Sequence, residues 1–246
     1  MEKQEKIKLF SEGIHLAGYF SAAKDEQNSQ AVLFLHGSGK INSHKGYFAW
    51  QEYLTANGFA SLFFDFRGCG NSEGNFEDSS LENRLKDAQI AVDFLKNHPA
   101  VDPQKISLIG GSMGGHVAIR LADKIPIFRS IILVSAAAYS EEAEPLPLNH
   151  EFSRMIRQKE NWKLSPVFKI LSEFNLPIML VYSENDPVIP AGVQEAYQRA
   201  IEKNPRHSLL RIAQGKHDLL NLSSEDDFVT LRSLLEHSIH FLKHSI

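Results

Sequence analysis

Five short runs of almost unbroken apolar residues constrain the fold: AVLFL (31–35), SLFF (61–64), ISLI (106–109), IILV (131–134) and IMLV (178–181). Successive side chains of a strand point to opposite faces, so a strand that is apolar throughout must be covered on both. A parallel sheet sandwiched between helices meets that demand, whereas a sheet with one wet face shows alternation. The strand candidates in full are Lys6–Phe10, Gly13–Phe20, Ala31–Leu35, Ala60–Asp65, Lys105–Ile109, Ser130–Val134, Pro177–Tyr182 and His207–Ile212. The first two meet at Ser11-Glu12-Gly13, which predicts a hairpin and an antiparallel start to a mostly parallel sheet of about eight strands.

Helical periodicity fills the gaps between these runs. In Ser80–Asn97, the residues Leu81, Leu85, Ala88, Val92 and Leu95 form one stripe. His98-Pro99 stops it, because proline disfavours helical geometry in the residue before it. Near the C-terminus Phe228, Leu231, Leu235, Ile239 and Leu242 repeat the pattern, with Ser224 and the acids 225–227 at its start. This alternation predicts an α/β fold with helices flanking a central sheet. About forty residues separate the sixth strand from the seventh, far more than a usual connection. They carry Phe152, Met155, Ile156, Trp162, Val167, Phe168, Leu171 and Phe174, too apolar for a disordered linker. The stretch reads as a short cap insertion, residues 139–174, plus a helix of the core, within a single domain spanning 1–246.

A sheet of this kind gathers its chemistry in the loops after its strands. Gly110-Gly111-Ser112-Met113-Gly114 is a G-x-S-x-G that directly follows the strand KISLI and directly precedes a helix candidate, Gly115–Ala122. The spacing alone arises by chance too often to carry weight. The strand–turn–helix setting is what a nucleophile elbow requires, with its serine on a strained turn. A glycine-rich turn with a spectator serine is the competing reading. A serine hydroxyl needs a base, and His217 falls in a loop between the last strand and the final helix. His237, His240 and His244 lie on that helix, His150 sits in the insertion, His44 is expected in a loop, and His116 rides a helix leading away from Ser112. An acid must orient the imidazole, and Asp186 comes right after the strand PIMLVY. Glu184 is its nearest competitor. Asp218 is another, poorly placed by its adjacency to His217, and Asp186-Pro187 is also an ordinary turn opener.

The chain order nucleophile, acid, histidine is the one α/β-hydrolases use. In that fold the loop after the third strand and the residue after the nucleophile supply oxyanion N–H donors, here Ser38 of His36-Gly37-Ser38-Gly39 and Met113. Gly-Ser-Gly-Lys also invites a phosphate-loop reading. It fails, because Phe34 and Ile41 stand where that motif needs glycine and Ser/Thr. His36 belongs to the turn and reads as structural.

Together these residues resemble the α/β-hydrolase superfamily, in particular its small-capped esterase, serine-aminopeptidase-like and feruloyl-esterase-like members. The resemblance rests on His36–Gly39, Asp65-Phe66-Arg67-Gly68-Cys69-Gly70-Asn71-Ser72, Gly110–Gly114, Asp186–Pro190 and Gly215-Lys216-His217, with Gly13–Gly18 similar to the family's opening hairpin. It implies a two-step acyl transfer through an acyl-enzyme on Ser112, with His217 as base, Asp186 fixing the tautomer, and neither cofactor nor metal. The D-x-R-G-x-G-x-S stretch is expected to support the oxyanion loop. Phe152, Met155, Ile156 and Trp162 are candidates to line a substrate pocket, with plain packing of the cap as the alternative.

Composition narrows the setting. The chain of 246 residues has 30 acidic against 26 basic residues, a formal −4, which gives no support to nucleic-acid binding. Its single cysteine, Cys69, excludes an internal disulfide, and neither a signal-like N-terminus nor a spanning run is present, so a cytoplasmic protein is expected. The leading expectation is a hydrolase of small or medium acyl or aryl carboxylic esters. A thioesterase, a peptidase or amidase, an acyltransferase and a non-catalytic binding module are the alternatives.

Overall fold

The computed structural model of the chain describes residues 4–23, 27–39, 44–213, 217–222 and 224–245, with side chains omitted at 44–46 and 224–226. Lys40 and Ile41 of the phosphate-loop comparison, and Gln214-Gly215-Lys216 ahead of His217, lie outside the described residues. All eight expected strands form: β1 (Glu5–Ser11), β2 (Ile14–Ser21), β3 (Ser29–Leu35), β4 (Phe59–Phe64), β5 (Val101–Gly111), β6 (Ile131–Val134), β7 (Ile178–Ser183) and β8 (His207–Ile212). They make one sheet in the order β1-β2-β4-β3-β5-β6-β7-β8. β1 and β2 pair antiparallel, as do β2 and β4, and every later pairing is parallel. β5 begins earlier than expected, pairing Val101 with Ser29 across a register shift.

The apolar strands divide their side chains between two cores. In β3, Ala31, Leu33 and Leu35 face one helical layer, while Val32 and Phe34 face the other. The first layer is built from α2 (Leu81–Asn97), α3 (Met113–Lys124), α5 (Val167–Glu173) and α6 (Ala191–Ile201); the second from α1 (His44–Ala56) and α7 (Ser224–His244). Burying both faces of five strands is what their unbroken apolar runs demand.

Helix ends follow local chemistry. Ser80 caps α2 by accepting from the Asn83 N–H, and His98 ends it in an extended conformation ahead of Pro99. α7 departs from expectation at its start. Asp227 breaks the helical backbone (φ −158°, ψ 85°) and accepts from the Thr230 N–H, so the capped helix begins there. Phe228, placed by spacing in the apolar stripe, is consequently 57% exposed. His44 is likewise not in a loop: it opens α1, whose buried face is Tyr47, Trp50 and Leu54. Between β6 and β7 the chain forms α4 (His150–Ile156) and then α5, which packs against α3 and α6. Among the described residues no helix is long and apolar enough to cross a membrane.

Candidate active site

The parallel strands end at one edge of the sheet, and three of them carry the expected residues there. Ser112 sits between β5 and α3 at φ 49° and ψ −120°, a left-handed conformation that L-residues rarely adopt. The turn is held on both sides: Ser112 N–H donates to the Val134 carbonyl of β6, while its own carbonyl accepts from Gly115 and Ala137. Tightness at this turn requires Gly114, where a Cβ would lie 2.0 Å from the Leu35 carbonyl oxygen.

His217 and Asp186 converge on this serine from the loops after β8 and β7. His217 Nε2 lies 3.0 Å from Ser112 Oγ, and its Nδ1 lies 2.9 Å and 3.1 Å from the two Asp186 oxygens. The Asp186 side chain is fully buried, against 19% exposure for His217. Burial raises the Asp186 pKa, but the His217 hydrogen bond and the N–H groups of Ile189 and Val188 outweigh it and hold the carboxyl below its usual range. An ionised Asp186 only accepts, so Nδ1 carries a proton, and in the neutral ring this makes Nε2 the acceptor facing the serine hydroxyl. The rival acids are elsewhere: Glu184 and Asp218 are exposed, and Asp218 accepts from Asn221.

Ser38 and Met113 line the same cavity as Ser112. Gly37 presses against the serine so closely that a Cβ there would be 3.1 Å from Ser112 Cβ. His36 is structural, as expected: it is buried, takes the Phe66 N–H at Nε2 and bonds the Gly37 carbonyl through Nδ1. The Asp65–Ser72 segment abuts this loop. Asp65 accepts from the Asn71 N–H, and Arg67 forms a buried ion pair with Asp87 of α2 at 2.6 Å.

The cavity holds about 550 Å³. Phe152, Ile156 and Trp162 line it, but Met155 does not. The cavity face of α4 is Phe152, Ser153, Ile156 and Arg157, paired at i, i+3 and i, i+4 spacing, and Met155 lies off that face against the core. Sequence reading did not single out Phe76, Tyr139, Leu148, Ile189 or Val193 of the same wall. It also missed Arg84, fully buried on α2 with Nη1 3.1 Å from the Gly37 carbonyl and 3.3 Å from that of His36. A signal was present: Arg84 and Asp87 fall in phase with the Leu81/Leu85/Ala88 stripe, where a charge is out of place. A second network lies behind the site. His116 Nε2 meets Glu144 at 3.0 Å, Arg120 donates to the same carboxylate, and the Tyr139 N–H reaches His116 Nδ1. Among the described residues no cluster of three potential metal ligands forms.

Residues 26–169 match the family described as serine aminopeptidase, S33. Among curated proteins the chain is similar to the uncharacterized protein YfhR of Salmonella typhi, 27% identical over 223 residues covering 84% of this chain and 71% of that one. It also resembles a stretch of the multifunctional-autoprocessing repeats-in-toxin of Vibrio vulnificus, 33% identical over 127 residues, 49% of this chain and 2% of the toxin. Among solved structures, Est1E from Butyrivibrio proteoclasticus, with ferulic acid bound, superposes at a TM-score of 0.75 and 21% identity, covering 96% of this chain and 99% of that one. The Pyrococcus furiosus esterase Pf2001 does so at 0.73 and 21%, covering 98% and 92%. At these identities the structural likeness establishes the fold.

Proposed function

Since the chain belongs to the serine aminopeptidase, S33 family and has the α/β-hydrolase fold, we propose that it hydrolyses carboxylic esters through an acyl-enzyme on Ser112. The observation that carries this reading is the hydrogen-bonded line from Ser112 Oγ through His217 to Asp186, opening on an apolar cavity. Ser112 Oγ attacks the ester carbonyl carbon while its proton passes to His217 Nε2. The tetrahedral oxyanion accepts from the Ser38 and Met113 N–H groups. Collapse expels the alcohol, which takes the proton back from His217; water then repeats the sequence and releases the acid. Asp186 stays ionised and stabilises the imidazolium.

The cavity wall favours esters over amino-terminal peptides. An aminopeptidase must hold its substrate's free ammonium, and among the described lining residues there is no carboxylate, while Arg157 adds positive charge. Burying an ammonium there without a partner costs too much. The Pyrococcus furiosus structural neighbour is itself an esterase. The α4 segment forms one wall, so residues 139–174 act as the cap of a single catalytic domain, with α5 anchoring it to the core.

A panel of p-nitrophenyl esters, acyl-CoA thioesters and aminoacyl amides tests the assignment, alongside fluorophosphonate labelling. Ester turnover and labelling, both lost in Ser112→Ala, are expected. Turnover of amides alone, or a folded wild type that resists labelling, removes the esterase reading.

A further inference from the structure

Arg84 is a charged side chain with no exposed surface, and no carboxylate pairs with it among the described residues. The nearby Asp87 is taken up by Arg67. Burying a guanidinium this way is expensive, and a packed apolar residue of similar volume avoids the cost. What the side chain does touch is specific. Its Cζ lies 4.6 Å from the centroid of the Phe66 ring, Nη2 is 3.5 Å from Cys69 Sγ, and Nη1 reaches the carbonyls of His36 and Gly37.

The Gly37 carbonyl belongs to the same peptide unit as the Ser38 N–H. Peptide bonds here are trans, with no cis bond among the described residues, so carbonyl and N–H point in opposite directions. Pulling the Gly37 oxygen towards Arg84 therefore turns the Ser38 N–H away from it. His36 acts in the same sense. Its Nε2 accepts from the Phe66 N–H, which leaves the proton on Nδ1 to donate to the Gly37 oxygen at 2.8 Å. Two donors on one carbonyl, one of them cationic, both fix the peptide plane and polarise it, strengthening its N–H as a donor.

We infer that Arg84 is the positioning residue of the oxyanion loop, aiming and polarising the 37–38 peptide so that the Ser38 N–H meets the charge that develops during acyl transfer. This rests on the hydrolase reading above and assigns a task to a residue outside the Ser112–His217–Asp186 line. Such a group acts in the transition state more than on bound substrate.

The test compares Arg84→Met and Arg84→Lys with wild type, using kcat per fluorophosphonate-titrated site, KM for a short p-nitrophenyl ester, and inhibition by a trifluoromethyl ketone that forms a tetrahedral oxyanion on serine. Loss of a whole oxyanion donor costs about 10²–10³-fold, so a misaimed donor in Arg84→Met is expected to lower kcat about 30-fold. KM should stay within twofold, and affinity for the ketone should fall by the same factor as kcat. Arg84→Lys keeps the charge without the fork and should recover part of the loss. A folded Arg84→Met with kcat within twofold of wild type overturns the inference, as does a loss confined to KM. If Arg84→Met does not fold, Arg84→Lys decides by the same criteria. If neither folds, the guanidinium is a core residue and the inference fails. A folded wild type that is never labelled is a separate failure, that of the hydrolase reading, and removes this inference with it.

Discussion

At the scale of single residues, three side chains carry the proposed chemistry and were legible for one reason: each stands in a loop directly after a strand of a parallel sheet. Ser112→Ala and His217→Ala are each expected to lower kcat about a million-fold, and Asp186→Asn about ten-thousand-fold. Members of such a set act as a unit, so Ser112→Ala/His217→Ala should be no slower than Ser112→Ala alone; steady-state kinetics on a p-nitrophenyl ester checks both. Arg84 was not legible in the same way, because its role depends on which carbonyls the fold brings to it across 47 positions of sequence. Its phase on α2 marks it as buried and says nothing of its partners. Cys69 is buried beside it, and burial pushes its thiol pKa up, so alkylating reagents should leave it intact in the folded protein.

At the scale of elements, the core strands and the long insertion between β6 and β7 could be read from the sequence, but which side of that insertion meets the cavity could not. Periodicity places Phe152 and Ile156 on one face of α4; which face meets the cavity is decided by packing. The outcome separates two neighbours. Ile156→Ala is expected to raise KM for a medium-chain ester about tenfold, the scale of a lost methyl contact or two in an apolar pocket. Met155→Ala should leave KM unchanged and lower the melting temperature instead, since its side chain packs on the core. The α2 helix offers a control remote from substrate. Ser80 supplies its only described side-chain cap, so Ser80→Ala should cost about 1 kcal/mol in urea denaturation. α1 was not legible although Tyr47, Trp50 and Leu54 fall at helical spacing, because Phe48, Ala49 and Tyr53 lie among them and blur the apolar stripe.

At the scale of the whole molecule, folding and ionisation are linked through groups the fold has buried. Asp186 has a folded pKa below its unfolded one, so it contributes stability that is complete above the unfolded value and is lost as pH falls through the folded value. His116 works in the same sense at a higher pH. Burial outweighs its Glu144 partner and lowers its pKa, favouring the neutral ring, so protonation in the unfolded chain draws stability away as pH drops below about 6.5. Urea midpoints are therefore expected to be flat at neutral pH, to decline below about pH 6.5, and to decline again below about pH 4. In His116→Gln the first decline should shrink. Rising stability on acidification from pH 7 to 5 would contradict this assignment. No such linkage was visible in the sequence, since neither His116 nor Glu144 announces its burial; what the sequence did reveal globally was that residues 112, 186 and 217 meet, because strand order alone brings their loops to one edge.

The backbone of Ser112 carries a consequence for the thermal tolerance of the whole chain. A residue with a Cβ held at φ 49° and ψ −120° opposes folding by about 1–3 kcal/mol, and the neighbouring contacts must make up the difference. Glycine usually weakens a structure relative to alanine, yet here the order should invert. Ser112→Gly is expected to melt at a higher temperature than Ser112→Ala, although both lack the hydroxyl, and calorimetry on the pair would measure the strain. Heat resistance and the proposed chemistry thus favour different residues at one position: prolonged selection for survival at high temperature, with no demand for turnover, would replace Ser112 before it touched the core.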